Sequence, residues 1–264
     1  MCAIGRPGRK VFVGLWVAAM AVLSRLRRMA VLISALAMLS GGLAGRAAEL
    51  DIYPVMVKLS PARIRDSVTL SNNAETPTVI EARIFRWTQT ATGDQLVETN
   101  EAITAPPVFT LQPRARQVVR IGLRREPESK DELYYRLILS EVLGGTGEVG
   151  TIAVALRLSL PVFYTPPDVK AEARWSVSPM AGGKIRVALR NAGNAHLKVS
   201  EVTVALPSDP EMPLAVSKGF KYVLPGVTRA WTFSLGGIVP GAPLLLRARN
   251  RKETLEHGFE MPSR

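Results

Sequence analysis

Few side chains in this chain could do covalent chemistry, and their spacing argues against it. There are two histidines, His196 and His257, and one cysteine, Cys2. Neither histidine has the paired-histidine or Cys/His spacing of a metal site. His196 follows a turn, and His257 falls in a polar C-terminal stretch. Residues 144–150 are glycine-rich, but no helix follows them to present a dipole to a phosphate. The chemistry that the residues do favour is that of the main chain. Ile152, Val154, Leu156, Leu158 and Leu160 occupy every second position, and a strand sends alternate side chains to one face. Ala153, Ala155, Arg157 and Ser159 stand between them, and Pro161, which lacks the N–H a ladder needs, ends the regular pattern. A long apolar edge strand is an aggregation hazard, so a chain that keeps one has a strand to pair with another chain. The same pattern also fits a face packed on the protein's own core.

The elements that must position this strand are read from the rest of the chain. At 264 residues with 47% hydrophobic content, one large or two ordinary domains with packed cores are expected. Residues 1–48 stand apart, with no acid and seven basic residues: Arg6, Arg9, Lys10, Arg25, Arg27, Arg28 and Arg46. Their apolar runs, 11–23 and 29–39, fall short of the ~20 residues that a membrane-spanning helix needs. The second run follows Arg25-Leu-Arg-Arg28 and precedes Gly45-Arg-Ala47, the pattern of a secretory signal with a small-residue cleavage site. The segment is long for a signal, which brings Met20 and Met29 in as starts. An uncleaved membrane anchor is the competing reading. Removing the segment takes the net charge from +12 to +5. That is a weak basis for nucleic-acid binding, and none is expected. Cys2 leaves with the signal, so the exported chain has no disulfide and relies on packing alone.

Beyond residue 48, short alternating runs recur between turn signals, as in an all-β sandwich. They cover 50–59, 67–71, 78–88, 117–123, 133–142 and the run ending at Pro161. Thr165-Pro-Pro-Asp168 reads as a stiff linker. A second series follows at 174–178, 184–190, 198–206, 221–224 and 230–235, and the charged tail 250–264 is expected to fray. The expected architecture is a signal peptide at 1–48 and two β-sandwiches at 49–166 and 167–264. Arg83, Arg86 and Arg136 are expected to be solvated or ion-paired. Trp87, Trp175 and Trp231 are expected in cores or at the domain interface.

Several ordered pieces carry a resemblance. They are Val68-Thr-Leu-Ser-Asn-Asn73, Thr104-Ala-Pro-Pro-Val108, Leu111-Gln-Pro-Arg114, Val118-Val-Arg-Ile121, Leu133-Tyr-Tyr-Arg-Leu-Ile138 and Ser159-Leu-Pro-Val-Phe-Tyr164. Leu189-Arg-Asn-Ala-Gly-Asn194 and Val223-Leu-Pro-Gly226 add to them. Together the chain resembles the periplasmic chaperones of the chaperone–usher pathway, which assemble pili. Phe85-Arg-Trp87 and Arg157-Leu-Ser-Leu-Pro161 look most like the archaic, Csu-type branch.

The resemblance implies two immunoglobulin-like sandwiches at an angle and a non-enzymatic chaperone that uses no cofactor. Its partners would be pilin subunits and an outer-membrane usher. A subunit lacks its last strand, and the chaperone lends one through main-chain hydrogen bonds. Here the donors would be Ile152, Val154, Leu156 and Leu158. At about 1.5–3 kcal/mol per large aliphatic side chain, three or four supply roughly 5–12 kcal/mol before ordering costs. The resemblance also implies two cations that hold the subunit's terminal carboxylate, one on the first strand and one on the last, both facing the cleft between domains. Lys58 and Arg157 are the candidates. Better-known branches have an arginine aligned with Met56, a departure here, and Lys58 shares its face. Both cations being plain solvated charges is the alternative. Self-association of the free form, hiding the lent strand, is compatible with this scheme. A structural or adhesive two-sandwich surface protein is the rival function, and a secreted sandwich hydrolase comes third, since a triad can assemble in space.

Overall fold

The computed structural model describes residues 50–90, 92–142, 155–249 and 253–263, so the expected signal lies outside it. All its regular structure is strand. The first ten strands are β1 Leu50–Tyr53, β2 Val57–Leu59, β3 Arg65–Asn72, β4 Thr78–Gln89, β5 Asp94–Glu98, β6 Ala102–Ala105, β7 Val108–Leu111, β8 Arg116–Leu123, β9 Leu133–Val142 and β10 Arg157–Tyr164. They form one sheet ordered β1-β3-β8-β6 and another ordered β2-β10-β9-β4-β5, with β7 also on β4. Val68, Leu70, Val119, Ile121, Tyr135, Leu137 and Val162 meet between the two sheets. Alternation produces this core: in β8, Val119 and Ile121 are buried while Arg116, Val118 and Arg120 face water.

The remaining strands are β11 Ala173–Met180, β12 Lys184–Asn191, β13 Leu197–Leu206, β14 Asp209–Val223, β15 Thr228–Ser234, β16 Pro243–Arg249 and β17 Thr254–Glu260. Their sheets run β11-β12-β15 and β14-β13-β16-β17, around a separate core that includes Val187, Leu189, Val204, Trp231 and Leu246. Ala48–Arg264 form one compact unit.

Three expectations need correction. The run 50–59 is two strands in different sheets, because the chain crosses from one layer to the other between Tyr53 and Val57. The tail is not frayed at 254–260: β17 pairs with β16 along its whole length, and Met261 is buried behind it. Pro161 does not end its strand. It sits inside β10 opposite Arg136, and β2 joins β10 only from Val162 onward. Near Pro161 the ladder has, among the described residues, no neighbour on the β2 side, where a missing N–H costs nothing.

Each sandwich also closes a turn with a buried asparagine. Asn72 Nδ2 donates to the carbonyls of Thr76 and Leu111, and its Oδ1 accepts from the Ala74 N–H. Asn191 does the same with Ala195, Val223 and Gly193. Gly193 is required there, since a Cβ would stand 2.1 Å from the Lys170 carbonyl oxygen.

Candidate functional site: an open strand and the cleft beside it

β10 is paired unequally on its two sides. β9 pairs with all of Arg157–Tyr164, whereas β2 covers only Val162, Phe163 and Tyr164. Among the described residues, Arg157–Pro161 has no strand on its other edge. Glu141 secures the point where the ladder begins: its backbone N–H donates to the Leu156 carbonyl at 2.8 Å, and its carboxylate accepts from the Leu156 N–H and the Thr78 hydroxyl.

The expected donors divide. Ile152 and Val154 lie outside the described residues. Leu156 is half-buried, and Leu158 is half-buried and packs against the first core. Leu160, next in the series, is 5% exposed and belongs to that core.

Lys58 and Arg157 are both exposed. Lys58 is the cross-strand partner of Phe163, and Arg157, Ser159, Pro161 and Phe163 share one face of β10. The two cations therefore stand on the same sheet face, opposite the first core. Six residues separate Arg157 from Phe163, about 20 Å at ~3.3 Å per residue. Met56, on the face of Lys58, is packed with Trp87, Tyr134, Phe163 and Leu224. Neither the Lys58 ammonium nor the Arg157 guanidinium has a partner among the described residues.

The second sandwich packs on this same face. Trp87 meets Tyr222 edge-on at 5.6 Å, and the His196 ring lies flat on Phe163 with centroids 4.0 Å apart. The Arg136 guanidinium stacks 3.8 Å from the Trp87 ring centre. Asp94 ties the sandwiches together, taking Arg136 at 3.6 Å and Arg229 at 3.1 Å. Burial lowers the pKa of Arg136, with Asp94 opposing that effect. Arg83 and Arg86 are ion-paired to Glu98 and Glu101. Trp231 is in the second core and Trp175 packs against it.

Beside Lys58 a cleft is lined by Arg63, Glu132, Phe163, Thr165 and His196. The Glu132 side chain is only 2% exposed. It accepts from the Thr165 hydroxyl at 2.7 Å, the His196 backbone N–H at 2.8 Å and His196 Nδ1 at 2.7 Å. Burial pushes the Glu132 carboxyl up, but the interactions with His196 and Thr165 outweigh it and hold the group below its ordinary value. Sequence reasoning missed Glu132, Thr165 and Asp94 and set His196 aside. No spacing signal could have joined Glu132 to a histidine 64 residues away. Among the described residues no group of three metal-ligating side chains comes together.

Residues 49–170 match the family described as pili and flagellar-assembly chaperone, PapD N-terminal domain. No curated protein sequence matches the chain. Among solved structures, the chaperone–tip adhesion subunit pre-assembly complex CsuC–CsuE, from archaic chaperone–usher Csu pili of Acinetobacter baumannii, matches with TM-score 0.60 and 20% identity, over 80% of this chain and 98% of that one. The Salmonella enterica SafA pilin complex with the SafB chaperone matches with TM-score 0.54 and 15% identity, over 82% and 99%. The E. coli chaperone DraB matches with TM-score 0.51 and 15% identity, over 81% and 97%. At these identities the likeness is one of fold.

Proposed function

We propose that this chain, which belongs through residues 49–170 to the family of pilus-assembly chaperones, is a periplasmic chaperone that caps pilin-type subunits by lending them a strand and delivers them to an outer-membrane usher. The observation that carries the reading is the half-open β10: among the described residues, Arg157–Pro161 keeps β9 on one side and has no strand on its other edge. An incoming subunit edge can take that side by main-chain hydrogen bonds, while alternate apolar side chains fill its groove. Ile152, Val154, Leu156 and Leu158 are the donors in this scheme. Lys58 and Arg157, on one sheet face, are the cations for the subunit's terminal carboxylate.

The division into a signal at 1–48 and sandwiches at 49–166 and 167–264 belongs to the same proposal, as does self-association of the free form. No energy source is needed, because a subunit short of its last strand stays above its fully packed state until another subunit's strand replaces the chaperone's.

Co-purification with a tagged pilin subunit tests the function. Leu156→Asp, and separately the pair Lys58→Ala with Arg157→Ala, should abolish capture while circular dichroism and thermal melts stay native. Undiminished capture by both variants would sink the mechanism.

A further inference from the structure

The open half of β10 has a defined end. We propose that Pro161 fixes how far a partner strand can run along β10, so that a missing main-chain donor sets the partner's register. The inference rests on the chaperone reading and names a positioning residue for the lent strand.

Two main-chain hydrogen bonds fix which way each residue of β10 points. The Glu141 N–H donates to the Leu156 carbonyl at 2.8 Å, so Leu156 faces β9. The Thr165 N–H donates to the Leu59 carbonyl at 2.9 Å, so Thr165 faces the β2 side. Main-chain groups alternate sides along a strand. Leu158, Leu160 and Val162 therefore turn their N–H and C=O toward β9, and Arg157, Ser159, Pro161 and Phe163 turn theirs the other way. β2 occupies that side only from Val162 onward. Among the described residues, the open edge thus offers the N–H groups of Arg157 and Ser159 and the carbonyls of Arg157, Ser159 and Pro161. Nothing donates at 161.

An edge proline also guards against chance pairing. This one leaves Arg157 and Ser159 unguarded and stands one residue before β2 begins, which is the place of a stop. Side chains do not choose the register. Leu156, Leu158 and Leu160 repeat at every second position, and a two-residue slip keeps each side chain on its face. A slipped partner meets a leucine where it met a leucine before. The main chain does choose. A partner advanced by two residues brings a carbonyl to Pro161 that finds no N–H, and an unmade hydrogen bond is costly. A partner drawn back by two residues gives up its bonds to Ser159. Pairing as fully as possible against a fixed stop leaves one register.

Hydrogen exchange read by NMR tests the open edge on the free chain. The Leu158 and Leu160 amides should be protected, and those of Arg157 and Ser159 should exchange at least about tenfold faster. Cross-linking to a tagged pilin subunit tests the stop. The one cysteine, Cys2, falls in the expected signal, so Ser159→Cys supplies a single thiol, and cysteines are placed in turn along the subunit's edge strand. With Pro161 in place, one subunit position should dominate the disulfide. Pro161→Val supplies the missing donor and should add a second position two residues away. Valine's α-hydroxy acid at 161, which has the same side chain and no N–H, should restore the single position, a rescue that a merely structural role of the proline ring would not give. Protected Arg157 and Ser159 amides in the free chain, several cross-linked positions with Pro161 in place, an unchanged position in Pro161→Val or no rescue by the hydroxy acid overturns the proposal. If no subunit is captured, the chaperone reading falls and the stop falls with it. Capture with an unchanged cross-link in Pro161→Val removes the stop alone.

Discussion

The imidazole of His196, from the second sandwich, lies flat against Phe163 of the first, with ring centroids 4.0 Å apart. Phe163 belongs to the same strand as Leu158, and it pairs with Lys58 across the ladder. One residue thus links the strand proposed for lending, the cation proposed for anchoring and the junction between sandwiches. Truncating it should be felt in all three. Phe163 is 1% exposed, and Phe163→Ala should cost about 3–5 kcal/mol in urea unfolding. A loss below about 1 kcal/mol would mean that the junction is not packed as described.

Glu132 makes the junction acid-sensitive. Its carboxyl is held below the ordinary 4.5 in the folded state, so its stabilisation is complete above that value and fades as pH falls through the lowered one. Glu132→Gln should be less stable than wild type by about 1–3 kcal/mol at neutral pH. Denaturant melts of the two proteins should converge as pH falls from 4.5 through the lowered value. A constant gap down to pH 3 would contradict the assignment.

Leu156 and Leu158 should separate folding from binding. Leu158 packs against the first core, while Leu156, also half-buried, is not among the residues packed on it. Leu158→Asp should lower the stability of the free protein by about 2–4 kcal/mol, and Leu156→Asp by under about 1 kcal/mol. Both should lose subunit capture. Thermal melts beside the capture assay check this, and equal destabilisation by the two would refute the packing difference.

The buried asparagines should act locally. Asn72→Ala strands two carbonyls and one N–H that the amide now satisfies, and Asn191→Ala two carbonyls and the N–H groups of Gly193 and Glu172. Each should cost about 2–4 kcal/mol. Hydrogen exchange should show lost protection around Thr76 and Leu111 in the first variant, and around Ala195 and Val223 in the second. Loss spread evenly over both sandwiches would count against two independent cores.

Much of the fold was legible because burial on one face writes itself as alternation. Leu133–Val142 emerged with the same bounds in sequence and structure, since its apolar residues dominate both faces. Strands such as Asp94–Glu98, exposed throughout, carry no such signal and were missed. Thr254–Glu260 was misjudged because charged outer positions hid the inner Leu255 and Phe259 that pack on the second core.

The candidate site divides along the same line. Local pattern showed the apolar alternation of residues 152–160, which the structure describes as strand from Arg157 onward, and placed Lys58 and Arg157 on strands, because side-chain period is a property of adjacent residues. Tertiary structure alone decided that β2 pairs only beyond Pro161, so that among the described residues the strand's first half has no neighbour on that side. It also decided that Glu132 meets His196 in the cleft beside Lys58. Those facts depend on which strands become neighbours and where they end, and contacts across 64 residues leave no periodic trace in the chain.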